Sequence, residues 1–247
     1  MENGIHVVLA PERLGSILGL PITNTLITSW AVIALLMLVA FLVGKKVQMI
    51  PSRFQATLEW MFGYVYDYVA ETLESRDMAR RFFPLLITIF LFIFTSNMLE
   101  FTPGVGSVGI FRSWGGEFVP LFRSVNTDLN VTLTLAIMSF LIIEVTGVLT
   151  IGVAKYARKF FNFHSGIGFV VGIIELFSEL ARLVAFSFRL FGNIFAGEVL
   201  ILVIIHFAPY VAPVPLMAFE VFVGFIQAAI FALLTLFFIK IAIMEPH

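Results

Sequence analysis

The chain contains no cysteine, few charged residues and no nucleotide-binding lysine motif. Without cysteine there are no disulfides, thiolate zinc sites or iron–sulfur clusters. Its four histidines, His6, His164, His206 and His247, stand far apart with no metal-ligand spacing, so no metal is expected. No Walker A pattern occurs, and the chain itself should not bind ATP or need a cofactor. GVGSVG, residues 104–109, fits G-x-G-x-x-G. It falls in a loop between two apolar blocks rather than between a strand and a helix, which removes its meaning as a dinucleotide site. The first twenty residues carry Glu2, Glu12 and Arg13 and no basic stretch followed by an apolar core, so no cleavable leader is expected. Charged residues make up 13% against about a quarter in soluble domains, and the net charge of −1 gives nucleic acid nothing to bind.

What is present is apolar surface. Hydrophobic residues reach 60%, phenylalanine alone numbers 29, and mean hydropathy is +1.03. The fold class expected is an all-α polytopic membrane protein forming a single membrane domain over residues 1–247. Five apolar blocks, 26–43, 82–101, 129–154, 167–208 and 216–244, are each long enough to cross about 30 Å of hydrocarbon as helix. The block 167–208 contains no proline and would be roughly 60 Å long as one helix. It either breaks near Gly192 or crosses obliquely. The basic residues favour the second choice. Lys45, Lys46, Arg53, Arg76, Arg80 and Arg81 in one connection, and Lys155, Arg158 and Lys159 in another, mark the cytoplasmic (or matrix) side. The other side has only Arg13, Arg112 and Arg123. Five crossings place the amino terminus outside and Lys240 inside, so 167–208 and 216–244 are expected to form a long oblique helical hairpin turned by APYVAPVP. In segment 51–75, Phe54, Leu58, Phe62, Val65, Val69 and Leu73 recur at helical spacing. That segment is an amphipathic helix on the cytoplasmic membrane surface, a docking face, or a plain connector. Segment 102–128 is expected to be an outside loop.

The polar residues within the blocks carry the chemistry. Glu175, Arg182 and Arg189 repeat every seven residues and share a helical face, with Glu179 beside it and Asn193 four residues past Arg189. Glu198 follows, and Glu220 and Gln227 share a face of the last block. Glu144 lies within the third. An arginine at mid-membrane costs about 3 kcal/mol on insertion scales, and such residues pair internally or mark ion paths. Glu179 with Arg182 suits an internal pair as well as a path. Arg189 has only neutral neighbours on its wheel, Ala185, Phe186 and Asn193, which points to a partner outside its own helix.

SFRLFGNIFAGE, with FIQAAIFALLTLFFIKIA downstream and NTDLNVTLTLA at 126–136, closely resembles subunit a of the F-type ATP synthase membrane sector. The likeness runs from about residue 25 to the end. It implies a non-catalytic, proton-conducting stator with two offset half-channels beside a rotating ring of c subunits. It further implies b-type peripheral stalk subunits, the rest of the ATP synthase and a lipid bilayer as surroundings, in a bacterial inner membrane or, alternatively, a mitochondrial one. By that resemblance Arg189 faces the ring carboxylates, with Asn193 and Gln227 nearby. Glu198 and Glu220 line the outer half-channel with Asp128 near its mouth, and Glu175 and Glu179 lie toward the inner one. The family commonly has glutamate and histidine where this chain has Glu198 and Glu220. Two nearby carboxylates share a proton, which leaves the order of hops open. A secondary ion-coupled transporter is the alternative. It would show pseudo-symmetric repeats and broken helices, and the sequence contains no such repeat.

Overall fold

The structure, a computed structural model, describes residues 11–17, 19–102, 108–111, 118–160 and 166–244. His6, His164, His247 and most of the GVGSVG stretch lie outside the described residues. A hairpin of β1 (Arg13–Ile17) and β2 (Leu20–Thr23) leads into α1 (Asn24–Lys45). Gly19 takes φ +84° in its turn, a conformation that disfavours a side chain. There follow α2 (Arg53–Leu73), α3 (Arg76–Leu99), a second antiparallel pair of β3 (Gly109–Phe111) and β4 (Phe118–Pro120), then α4 (Leu129–Ile151), α5 (Val153–Phe160), α6 (Gly166–Phe207) and α7 (Pro213–Ile243). Five of these, α1, α3, α4, α6 and α7, are long and apolar enough to cross a bilayer. The molecule is an all-α polytopic membrane protein, as its composition requires.

Local signals set the helix ends. Side chains of Thr23, Ser52, Ser75 and Asp128 cap α1, α2, α3 and α4 by accepting from backbone N–H groups of the first turn. The third apolar block stops earlier than its hydropathy suggests. Gly152 at φ +92° ends α4 at Ile151, and the chain turns into the short basic α5. The fourth block is one helix of 42 residues, about 63 Å long, with no interruption at Gly192. The fifth is one helix of 31 residues opening on Pro213, where a missing N–H costs nothing. A helix of α6's length fits a bilayer only if it is strongly inclined or extends past it.

Two apolar clusters hold the bundle. One joins Val69 and Leu73 of α2 to Phe82 and Leu86 of α3, Ile143 of α4, and Leu236 and Ile239 of α7. The other joins Ile89 and Ile93 of α3, Leu135 of α4, Phe186, Leu190 and Ile194 of α6, and Ala228 and Phe231 of α7. Phe186 meets Phe231 edge to face at 4.9 Å between centroids. Thus α7 is the central post, with α3, α4 and α6 around it, and α1 lies against α3.

Successive contacts show the helices running antiparallel. Along α6 and α7 they run from Arg182 over the Phe238 ring, through Phe186 on Phe231 and Asn193 on Gln227, to Gly197 beside Glu220. This alternation brings Lys45, Arg80, Arg81, Lys155 and Lys240 to one end of the bundle, here called the basic end. Lys240 Nζ lies 2.9 Å from Glu74 Oε1 and ties α7 to the end of α2. On α2, Leu58, Phe62, Val65, Val69 and Leu73 are sheltered to differing degrees, whereas Phe54 is exposed with Trp60, Met61 and Tyr64.

Candidate functional site

At the end opposite the basic one, a polar scaffold replaces apolar packing. Asp128 caps α4 through Oδ1, which accepts from the Asn130 amide at 2.9 Å. Its Oδ2 accepts from Thr25 Oγ1 of α1 at 2.7 Å. The carboxylate is therefore buried with both oxygens engaged, and it joins α1 to α4. In the connection just before it, Thr28 Oγ1 accepts from the Arg123 amide, and Asn126 Nδ2 donates to Asn97 Oδ1 at 2.6 Å. Asn97 Nδ2 in turn donates to the Gly224 carbonyl of α7 at 2.9 Å. The connection 123–128 is thus pinned to α1, α3 and α7 together. The expected outside loop is better described as the hairpin β3–β4 followed by this pinned polar turn. The sequence did not reveal either, because neither has an apolar period.

Glu198 and Glu220 lie within this scaffold. A Cβ on Gly197 would collide with the Glu220 carboxyl group, so the glycine is what lets α7's glutamate seat against α6 one residue from Glu198. Glu220 is 6% exposed, and its Oε1 has no hydrogen-bond partner; the same is true of Glu198 Oε2. Arg123 and Thr127 are within interaction range of Glu198. The structure also brings in a group that sequence reading missed. Glu100, directly after α3, accepts from Ser124 Oγ at 2.9 Å and interacts electrostatically with both Glu198 and Glu220. The only sequence signal was an acidic residue at the end of an apolar block.

Toward the middle, Asn193 Nδ2 donates to Gln227 Oε1 at 2.7 Å, linking α6 to α7. One turn away is Arg189. The buried residues of α6 here are Phe186, Ser187, Leu190 and Ile194, with Ser187 Oγ 3.3 Å from Thr132 Oγ1 of α4. Arg189 sits on the opposite, exposed face beside Phe188 and Asn193, with Val184 and Leu200 also exposed along it. Among the described residues nothing hydrogen-bonds or ion-pairs with its guanidinium. A permanent cation stands on an apolar flank of the bundle with no counterion among the described residues.

Nearer the basic end, Glu179 is buried and paired with Arg182 at 2.7 Å, and Arg182 lies over the Phe238 ring at 4.0 Å. Glu175, one turn further, is half-buried. Tyr156 of α5 packs where Gly147 lacks a side chain and donates to Glu144 Oε2 at 2.9 Å. Burial pushes the Tyr156 hydroxyl well above its ordinary value, reinforced by Glu144, so it remains a donor at any working pH. No group of three or more His, Cys, Asp or Glu side chains could hold a metal among the described residues.

The sites named from sequence thus fall into three levels along α6 and α7: Glu198 with Glu220, then Arg189 with Asn193 and Gln227, then Glu175 with Glu179. Asp128 stands beside the first level. The chain as a whole has relatives among known proteins. The family model described as ATP synthase A chain matches residues 26–240. ATP synthase subunit a of Moorella thermoacetica is 30% identical over 220 residues, covering 89% of this chain and 90% of the relative. ATP synthase subunit a 3 of Pelobacter propionicus is 31% identical over 243 residues, covering 98% and 96%. The protein of Propionigenium modestum named ATP synthase subunit a, sodium ion specific, is 32% identical over 237 residues, covering 94% and 78%. A match across nearly the whole chain, on a bundle with these polar levels, makes the protein a member of the ATP synthase A chain family.

Proposed function

We propose that the chain is the proton-translocating stator of an F-type ATP synthase, with Arg189 facing the carboxylates of a rotating c-subunit ring. The observation that carries this is Arg189, exposed on the apolar face of α6 and without a partner among the described residues. An arginine in hydrocarbon costs about 3 kcal/mol on insertion scales, and a carboxylate arriving from another subunit offsets that cost. Glu198 and Glu220 belong to an outer half-channel and Asp128 holds its mouth together. A proton passes from them to a ring carboxylate, and the neutral site turns into lipid. On returning from the other side, that site gives its proton to an inner half-channel near Glu175. The Glu179–Arg182 pair stands there as a fixed polar wall. The emptied carboxylate is then drawn to Arg189. The same fixed cation repels protons and keeps the two half-channels from joining.

The organisms named above are bacteria, which supports a bacterial inner membrane. Stalk subunits of the b type and the remaining ATP synthase subunits complete the assembly. A secondary transporter is disfavoured, since α6 and α7 run unbroken past the polar levels.

The test uses the absence of cysteine. In the assembled ATP synthase, Phe188→Cys places a thiol on the exposed face and Phe186→Cys places one on the buried face. Cross-linking to a cysteine beside the ring carboxylate is expected from position 188 and not from 186. The reverse pattern, or no ring product from 188, would remove the proposal.

A further inference from the structure

The helices of the bundle do not end together. Thr25 at the head of α1 bonds to Asp128 at the head of α4, and Asn126 just before it bonds to Asn97 near the end of α3. Helices α1, α3 and α4 therefore stop at one polar level. The α6–α7 pair runs on past it. Ser187 of α6 stands beside Thr132 of α4. From that contact α4 has one turn left, to Leu129, whereas α6 continues to Phe207, about 30 Å further along its axis. At the bond from Asn97 to the Gly224 carbonyl, α3 is almost at its end in Leu99. From there α7 reaches back about 16 Å to Pro213. The pair thus ends in a tip beyond the ends of α3 and α4.

The composition and exposure of that tip name its surroundings. Between Glu198 and Glu220 the chain carries no Asp, Glu, Lys or Arg. Residues 205–211 are exposed without a break, and Phe207, Tyr210 and Val211 are 78%, 90% and 79% exposed. A protein partner needs one bare face, with the other packed on the bundle. A tip bare on every side is surrounded by its solvent, and large apolar side chains without a charge among them are unsuited to water. The turn is also poor in backbone donors. Pro209, Pro213 and Pro215 have no N–H, the Ala208 amide donates to the Ile204 carbonyl, and the Val214 amide donates to that of Val211. The Tyr210 hydroxyl and the His206 ring give the tip its polar edge, which suits the boundary between acyl chains and headgroups.

We propose that residues 205–214 are a lipid anchor, immersed at the acyl–headgroup boundary of the leaflet opposite the basic end. To stay in the leaflet the pair must slant, so its tip travels sideways out of the bundle instead of rising into water. The anchor fixes that slant, and with it the depth at which α6 carries Arg189. Its partner is the phospholipid surface in general, recognised by apolar side chains and an aromatic edge, with no preference for headgroup charge.

The experiment uses the assembled ATP synthase in phosphatidylcholine vesicles. The chain has no cysteine, so Val211→Cys carries an environment-sensitive fluorophore at the tip, and Thr102→Cys carries it at an exposed position just past α3. The unsubstituted complex, treated alike, gives the background. Two quenchers are compared: iodide on both sides of the membrane, and a lipid bearing a nitroxide near its headgroup. At position 211, iodide quenching is expected to be lost and nitroxide quenching strong, with emission shifted to the blue of position 102. Iodide quenching at 211 equal to that at 102 would show the tip standing in water and overturn the anchor. Loss of both kinds of quenching at 211 would show a protein cover, and would overturn it equally. Should Val211→Cys not assemble, Ala208→Cys, also exposed, is read by the same criteria.

Discussion

The smallest residue in the site makes one of the largest differences. At Gly197 the missing side chain is the space that the Glu220 carboxyl group fills. Gly197→Ala is therefore expected to push Glu220 off α6 and slow proton flow about tenfold or more, while the apolar packing at Ile194 and Ile201 still inserts and assembles the chain. Wild-type flux in that variant would mean that Glu220 and Glu198 need not meet. Asp128 acts through its bonds rather than its charge alone. With one oxygen on the α4 amide and the other on Thr25, Asp128→Asn keeps an acceptor for only one of them. We expect a loss of about 1 kcal/mol or more in stability, seen as a lower midpoint of thermal unfolding in detergent. Thr25→Val should cost less. Equal midpoints for all three proteins would place the junction of α1 and α4 elsewhere.

At the scale of elements, α5 depends on one fit. Its Tyr156 ring occupies the notch at Gly147, and its hydroxyl donates to Glu144. Tyr156→Phe keeps the ring and loses the bond, a cost of about 1–2 kcal/mol. Gly147→Ala displaces the ring and should cost more. The two are compared by the temperature at which the assembled complex loses this subunit; a Gly147→Ala variant as stable as wild type would show that α5 can redock. The elements also mark how far sequence carries. Long apolar blocks were readable, because a helix in lipid needs only local hydrogen bonds and an apolar surface. The unbroken α6 followed from its lack of proline and from the charge bias. The meeting of Glu100 with Glu198 and Glu220 was not readable. It depends on the antiparallel register of α3, α6 and α7, which is set by contacts such as Asn97 with Gly224, far apart in the chain. Arg189 fell between these cases. Its lack of a counterion on its own helix was visible in sequence, whereas its exposed side required the packing of Phe186, Leu190 and Ile194.

The whole molecule has two unlike ends and an open flank. Lysine and arginine gather at one end, and the polar scaffold of Asn97, Asn126 and Asp128 at the other. The positive-inside bias predicts a cytoplasmic basic end. Cysteines placed at Gln48 and Thr102, both exposed, should react with an impermeant reagent from opposite sides of sealed vesicles. Reaction of both from one side would require an even number of crossings between them and a new path for α6.

The central claim is that the cation on the open flank works with a moving partner and is no fixture of the fold. It is tested most directly by pairing two measurements on Arg189→Ala in the assembled ATP synthase: ATP-driven proton pumping, and passive proton uptake after the catalytic sector is removed. Arg189→Lys serves as the comparison, keeping the charge on a compact ammonium without the planar fork. The account predicts an Arg189→Ala protein that inserts and binds its ring, does not pump, and leaks protons passively. The Arg189→Lys protein should pump poorly but hold back the leak. Normal pumping by Arg189→Ala, with no added leak, would contradict it.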